Sequence, residues 1–159
     1  EFYNLDAYHE KQFYTEKQSA KPAKFGAYAQ INGGLSPTHP QGFAGLTLGI
    51  VQRYGELSIM ALPSVPGTGL HVFTGMVGLR APINKVFTVT PKIGYWTYWD
   101  SKIDKPIQWT GGNRFVYGVD INKRIEGNLE LVISWIDCRS HIGKYNGMKI
   151  GTAGLRYIF

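Results

Sequence analysis

The sequence predicts an all-β protein, an eight-stranded antiparallel up-and-down transmembrane β-barrel with an N-terminal extension. Three observations carry that expectation. Apolar and polar residues alternate with a period of two almost everywhere after residue 23. The connections between the alternating stretches run long, short, long, short without exception. One face of the alternation carries the large aromatics, and the other carries glycines and charges of both signs. A period of two is a strand signal, because successive side chains of a strand point to opposite faces. Residues 1–23 are expected to form a periplasmic segment and residues 24–159 the barrel.

The strands follow in order. In KFGAYAQINGGL (24–35), Phe25, Ala27, Ala29, Ile31 and Leu35 share one face, with Lys24, Tyr28, Gln30 and Asn32 opposite. FAGLTLGIVQRY (43–54) groups Ala44, Leu46, Leu48 and Ile50 against glycines and Thr47. ELSIMALP (56–63) sets Leu57, Ile59 and Ala61 against Glu56, Ser58 and Met60, and HVFTGMVGLRAP (71–82) sets Phe73, Val77 and Leu79 against Thr74, Gly78 and Arg80. VFTVTPKIGYWTYW (86–99) opposes Phe87, Val89, Ile93, Tyr95 and Trp99 to Thr88, Thr90, Lys92 and Gly94. RFVYGVDIN (114–122), LELVISWID (129–137) and KIGTAGLRYIF (149–159) complete the set of eight.

QRYGE, APINK and KRIEGN are tight connections with turn residues in place, whereas SPTHPQG, PSVPGTGL, DSKIDKPIQWTGG and CRSHIGKYNGM are longer. Strict alternation places all short turns at one end of a barrel. Membrane barrels of bacteria have an even strand number, short periplasmic turns and longer outside loops. A lipocalin-like soluble barrel is the inside-out alternative, with the apolar face lining a cavity. The aromatics weigh against it: Phe25, Tyr54, Phe87, Tyr95, Trp99, Phe115, Trp135, Tyr157 and Phe159 lie on the apolar face, many near strand ends, as interfacial girdles do.

Composition narrows the function. The 159 residues are 43% hydrophobic and only 18% charged, with no apolar run near the roughly 18 residues of a membrane helix. The net charge of +6 is dispersed, with no cluster denser than NKR at 122–124, so nucleic acid is not an expected partner. One cysteine permits no internal disulfide, and four scattered histidines suggest no zinc site; neither cofactor nor metal is expected. A start at Glu1 without methionine fits a chain whose export signal has been removed.

From residue 24 to 159 the chain resembles the small eight-stranded outer-membrane β-barrel proteins of Gram-negative bacteria. The alternation, the loop rhythm and the closing LRYIF carry the resemblance. It implies location in the bacterial outer membrane, and it implies that Leu155, Tyr157 and Phe159 are read by the barrel-insertion machinery. The fold itself serves adhesins, anchors, enzymes and pores, so it implies no activity. A partial resemblance to the lipid A deacylases rests on CRSH at 138–141, where Ser140 stands at the nucleophile position of an H-x-S-N stretch. Cys138 replaces the base histidine, His141 the asparagine, and no acid follows Asp137. A serine without an adjacent base is a poor nucleophile, so no catalytic residue is assigned. Likeness to the lipid A palmitoyltransferases rests on eight strands after an N-terminal segment, with His39 the one tempting loop residue; a solvated loop histidine is the simpler reading.

The expected role is therefore a structural or interaction subunit closed to bulk flow. A lipid A-directed acyl hydrolase or acyltransferase is the alternative. Glu56, Arg80, Lys92, Asp120, Glu130 and Arg156 are expected to neutralise one another across the lumen, because buried charges must pair. Lys102, Lys105, Arg139, Lys144 and Lys149 cluster at the loop end and are expected to meet lipopolysaccharide phosphates. The opening segment carries Phe2, Tyr3, Tyr8, Phe13 and Tyr14 among charges, an aromatic content that suits contact with another outer-membrane or periplasmic protein.

Overall fold

The computed structural model describes residues 26–38, 41–65, 70–100, 114–139 and 147–159, and their side chains apart from those at 41, 64, 65, 70, 99 and 100. The strands are β1 (Gly26–Ser36), β2 (Gln41–Val51), β3 (Gly55–Val65), β4 (Leu70–Leu79), β5 (Ala81–Pro82), β6 (Phe87–Asp100), β7 (Phe115–Glu126), β8 (Leu129–Arg139) and β9 (Gly147–Ile158). Neighbours in the chain pair antiparallel except β4 and β5, β1 pairs with β9, and β4 pairs with β6. The sheet thus closes on itself. β5 is the continuation of β4 beyond a break at Arg80, whose N–H donates instead to the carbonyl of Tyr54 at 2.9 Å. Counted as barrel staves, there are eight, as the alternation predicts.

Closure removes every sheet edge, which a bilayer requires because no water is available there for an unpaired N–H. The long strands run from 10 to 14 residues, enough for a tilted strand to cross the hydrocarbon core. The alternation resolves in the sense opposite to a soluble carrier. Ile31, Leu35, Leu57, Ile59, Val77, Leu79 and Ile133 point outward and are more than half exposed. Tyr54, Phe87, Tyr157 and Phe159 ring the short-turn end, and Tyr95, Phe115, Tyr117 and Trp135 stand toward the loop end. Eight residues separate Phe87 from Tyr95 on one strand, so the two rings lie about 20 Å apart along a tilted barrel axis. That spacing suits the roughly 25 Å apolar band of such barrels. Phe25 and the side chain of Trp99 lie outside the described residues.

Curvature explains the inward glycines. A Cβ on Gly45 would strike the carbonyl oxygen of Ala61, and one on Gly94 would strike that of Gly75. Adjacent strands of a small barrel crowd on the concave side, and only hydrogen fits there. The outward glycines Gly33 and Gly75 meet nothing within 4 Å. Gly127 is a different case: its φ of 51° closes the β7–β8 turn beside a bulge between Arg124 and Glu126.

Candidate functional site

The lumen holds two unlike layers. Toward the short turns lies a charged layer built from six different staves: Glu56 on β3, Arg80 at the β4–β5 break, Lys92 on β6, Asp120 on β7, Glu130 on β8 and Arg156 on β9. Every one of the six expected residues is in it. Three acids face three bases. Lys92 Nζ sits between Glu56 Oε1 and Asp120 Oδ2, 2.5 Å from each. Arg156 Nη1 lies 3.0 Å from Glu56 Oε2 and its Nη2 lies 3.3 Å from Asp120 Oδ2. Arg80 Nη2 reaches Glu130 Oε1 at 3.2 Å, and Asn122 donates to the other oxygen of that carboxylate at 3.0 Å.

Strand β1 completes the layer with neutral groups. Gln30 accepts a bond from Arg156 Nε at 2.8 Å, and the Tyr28 hydroxyl donates to Glu56 Oε1 at 3.1 Å. The Arg156 guanidinium also stacks over the Tyr28 ring, 4.0 Å from its centroid, a favourable cation–π geometry. Gly49 makes that stacking possible, since a side chain there would run into the Tyr28 ring. Arg156 is wholly buried. A cation so enclosed is tolerable only because acceptors and an aromatic face meet it.

Toward the loops the lumen turns apolar. Phe43, Met60, Leu62, Val72, Met76, Trp96, Val116, Ile136, Cys138, Met148 and Ile150 form one buried cluster, with Tyr98 packed against it. Small membrane barrels usually have polar interiors, and the sequence already sets Glu56, Arg80, Glu130 and Arg156 beside the short turns. The loop half is not wholly apolar, since buried Arg114 donates to Thr97 Oγ1 at 3.0 Å with its guanidinium over the Tyr98 ring. The apolar cluster is the part that sequence reading missed. The signal was present in the residues at alternate positions: Leu62, Val116, Ile136, Met148 and Ile150 all fall on the inward parity. Trp96 spans the layer, and its indole N–H donates to the Arg139 carbonyl at 2.7 Å.

The cluster also decides the environment of the lone thiol. Cys138 is fully buried among apolar side chains. A thiol there packs as a small hydrophobe. Ser140, His141 and His39 lie outside the described residues. Among the described residues, no group of three His, Cys, Asp or Glu side chains converges on a point where a metal ion could sit.

The outer surface of the loop end carries a third group. Asp137 on β8 pairs across the sheet with Lys149 on β9. Its carboxylate accepts a bond from the Tyr117 hydroxyl at 2.8 Å and an ion-paired bond from Arg139 Nη2, also at 2.8 Å. The Asp137 side chain is 6% exposed and that of Arg139 52%, so the acid is covered and the cation presented. Lys149 is exposed as well, its backbone held by Ser36 and Thr38. Lys102, Lys105 and Lys144 lie outside the described residues, as do Phe2, Tyr3, Tyr8, Phe13 and Tyr14. On β9, Leu155 and Tyr157 point outward, and Phe159 continues their face, its ring in edge contact with Tyr157 at 5.4 Å.

No protein-family model matches the chain, and no curated protein is similar to it in sequence. Among solved structures it is similar to the N-terminal β-barrel domain of Pseudomonas aeruginosa OprF, with a TM-score of 0.66 at 11% identity, over 84% of this chain and 97% of that one. It is similar to the Yersinia pestis outer membrane protein Ail in a phospholipid bilayer nanodisc, with a TM-score of 0.54 at 12% identity, over 84% and 99% of the two chains. A de novo designed transmembrane β-barrel gives a TM-score of 0.58 at 14% identity, over 84% and 95%. The chain therefore has the fold of the small eight-stranded outer-membrane barrels. A designed sequence whose score falls between those of two natural barrels underlines that fold and activity are separable here.

Proposed function

We propose that this protein is a bacterial outer-membrane barrel that acts as a structural or interaction subunit, closed to bulk flow, whose loops and N-terminal segment do the contacting. The observation that carries the closure is the double stop in the lumen. A neutral network of six charges fills one half, and an apolar layer around Trp96 fills the other. An ion entering from either end would have to displace side chains that are already paired or packed. The reading that remains is a rigid lipid-embedded post with contact surfaces at its two rims.

At the outer rim the contact is lipopolysaccharide. Arg139 and Lys149 support this, because both are exposed cations at the level where lipid phosphates lie, and guanidinium and ammonium groups bind phosphate readily. Lys102, Lys105 and Lys144 join them on sequence grounds. At the periplasmic rim the contact is another protein, met by the aromatic segment 1–23.

Two measurements test the proposal. In planar bilayers the purified barrel should give no steady conductance; discrete channel steps would end the closed-barrel reading. Replacing Arg139, Lys144 and Lys149 together by glutamine should lower the lipopolysaccharide that co-purifies in mild detergent. Retention equal to the parent would remove the lipid contact.

A further inference from the structure

The outer wall of the barrel is not evenly convex. An open groove of about 710 Å³ crosses the strands there, over β1, β9, β8 and β7. Its floor is Gly33, Gly151 and Ala153, which are neighbours because Gly33 pairs with Ala153 and Leu35 with Gly151. Leu35 stands on one side, and Ile133 and Trp135 on the other. The Trp135 ring lies against the Gly151 position, where an added Cβ would meet it at 3.5 Å. At Gly33 the wall opens onto nothing within 4 Å.

The cations described above stand at the loop-side mouth of this groove. Lys149 is two residues from Gly151 on β9, and Arg139 is four from Trp135 on β8. We infer that groove and cations form one site for a phosphorylated acyl lipid, lipid A in this membrane, with a phosphate at Arg139 and Lys149 and an acyl chain lying on the glycine floor. This rests on the lipopolysaccharide reading above and adds to it where the acyl part lies. The occupant follows from position and charge. The groove opens within the apolar band, so what fills it is apolar, while Arg139 and Lys149 against Asp137 leave its mouth one charge positive. A second barrel or a membrane helix could meet the first requirement but brings no phosphate. Asp137 has a positioning role, holding Arg139 over the mouth from beneath.

Lipid tails are as apolar as the wall, so burying a chain there gains little from water exclusion. The selectivity comes from fit, and filling the groove should abolish the fit while leaving the phosphate contacts. Gly33→Leu does this without strain, since the backbone at Gly33 is ordinary and the space is open. Native mass spectrometry of the full chain with hexa-acylated diphosphoryl lipid A, and with phosphatidylglycerol as a competitor, reads the outcome. The parent should retain lipid A in preference to phosphatidylglycerol. Gly33→Leu should weaken lipid A binding about tenfold, and Arg139→Gln with Lys149→Gln should do at least as much. Gel mobility before and after heating reports that each variant is folded, and Ala153→Val narrows the same floor should Gly33→Leu fail to fold.

If the cation pair matters but Gly33→Leu and Ala153→Val bind lipid A like the parent, the phosphate contact stands and the groove inference falls. If neither matters, both readings fall. If the parent is a dimer and Gly33→Leu a monomer with unchanged lipid A retention, the groove holds a second copy of this chain and the inference is overturned.

Discussion

At the scale of single residues, Arg156 and the inward glycines do the most for this barrel. Arg156 touches Glu56, Asp120, Gln30 and the Tyr28 ring, so removing its charge leaves three buried acids facing only Lys92 and Arg80. Arg156→Met, similar in length and apolar, should destabilise the barrel by about 3–5 kcal/mol in urea titrations followed by tryptophan fluorescence in lipid vesicles. A loss below about 1 kcal/mol would mean that the acids are not held by this cation. Gly94 and Gly75 allow a matched comparison on neighbouring staves. Gly94→Ala drives a Cβ into the Gly75 carbonyl oxygen and should cost about 1–3 kcal/mol. Gly75→Ala points into open space at an ordinary φ and should be neutral or mildly stabilising, because it reduces the freedom of the unfolded chain. The same titrations, run on both variants, check the pair.

At the scale of elements, β9 carries two separable properties. Its backbone closes the barrel by pairing β1 with β8, and Phe159 N–H donates to the Ala27 carbonyl at 2.9 Å whatever side chain it bears. The Phe159 ring is 71% exposed, so it adds little to packing within the barrel. If the ring is read during assembly, its removal should act on delivery rather than on stability. Phe159→Ala is expected to reduce folded barrel in cells severalfold while refolding in detergent proceeds like the parent, as judged by the heat-shifted gel band. Replacing a loop aromatic such as Trp109 is the control and should leave cellular yield nearly unchanged. Equal yield from both variants in cells would remove the assembly role.

At the scale of the whole molecule, the inside-out arrangement makes a prediction that no soluble barrel shares. Ile31 stands midway along β1 on the outer face, flanked by Leu46 and Leu155, and is 63% exposed. Ile31→Arg should cost about 2–4 kcal/mol in a bilayer, the range for a cation at the midplane of a barrel wall. In a water-soluble carrier an exposed isoleucine would exchange for arginine within about 0.5 kcal/mol. Equilibrium unfolding from vesicles distinguishes the two. Deleting residues 1–20 should leave this stability intact, because the described network and cluster draw on residues from Tyr28 onward. On the proposal that segment 1–23 meets another protein, the deletion should also abolish co-purification of that protein. A truncated barrel that brings down the same proteins in the same yield would relegate the segment to other work.

The local pattern by itself determined the architecture. Period two assigned the residues of the eight strands to a face, and the long–short rhythm set which strand ends lie together. An even number of staves with an apolar, aromatic-rich face then left a membrane barrel as the consistent closure. Such inferences succeed because strand parity is a property of neighbours in the chain, fixed by the backbone itself. Height along the barrel is legible only beside a short turn, as for Glu56, Arg80, Glu130 and Arg156. Only the closed structure shows that Lys92 and Asp120 join them at one level while Leu62, Trp96, Val116 and Met148 lie at another. Parity says that a side chain points inward but not what it meets there, since its partners come from strands as far as 126 residues away. The groove on the outer wall was hidden for the same reason. Gly33, Gly151 and Ala153 are unremarkable where they stand in the chain, and they become one floor only when β1 pairs with β9 and the tertiary register brings them side by side.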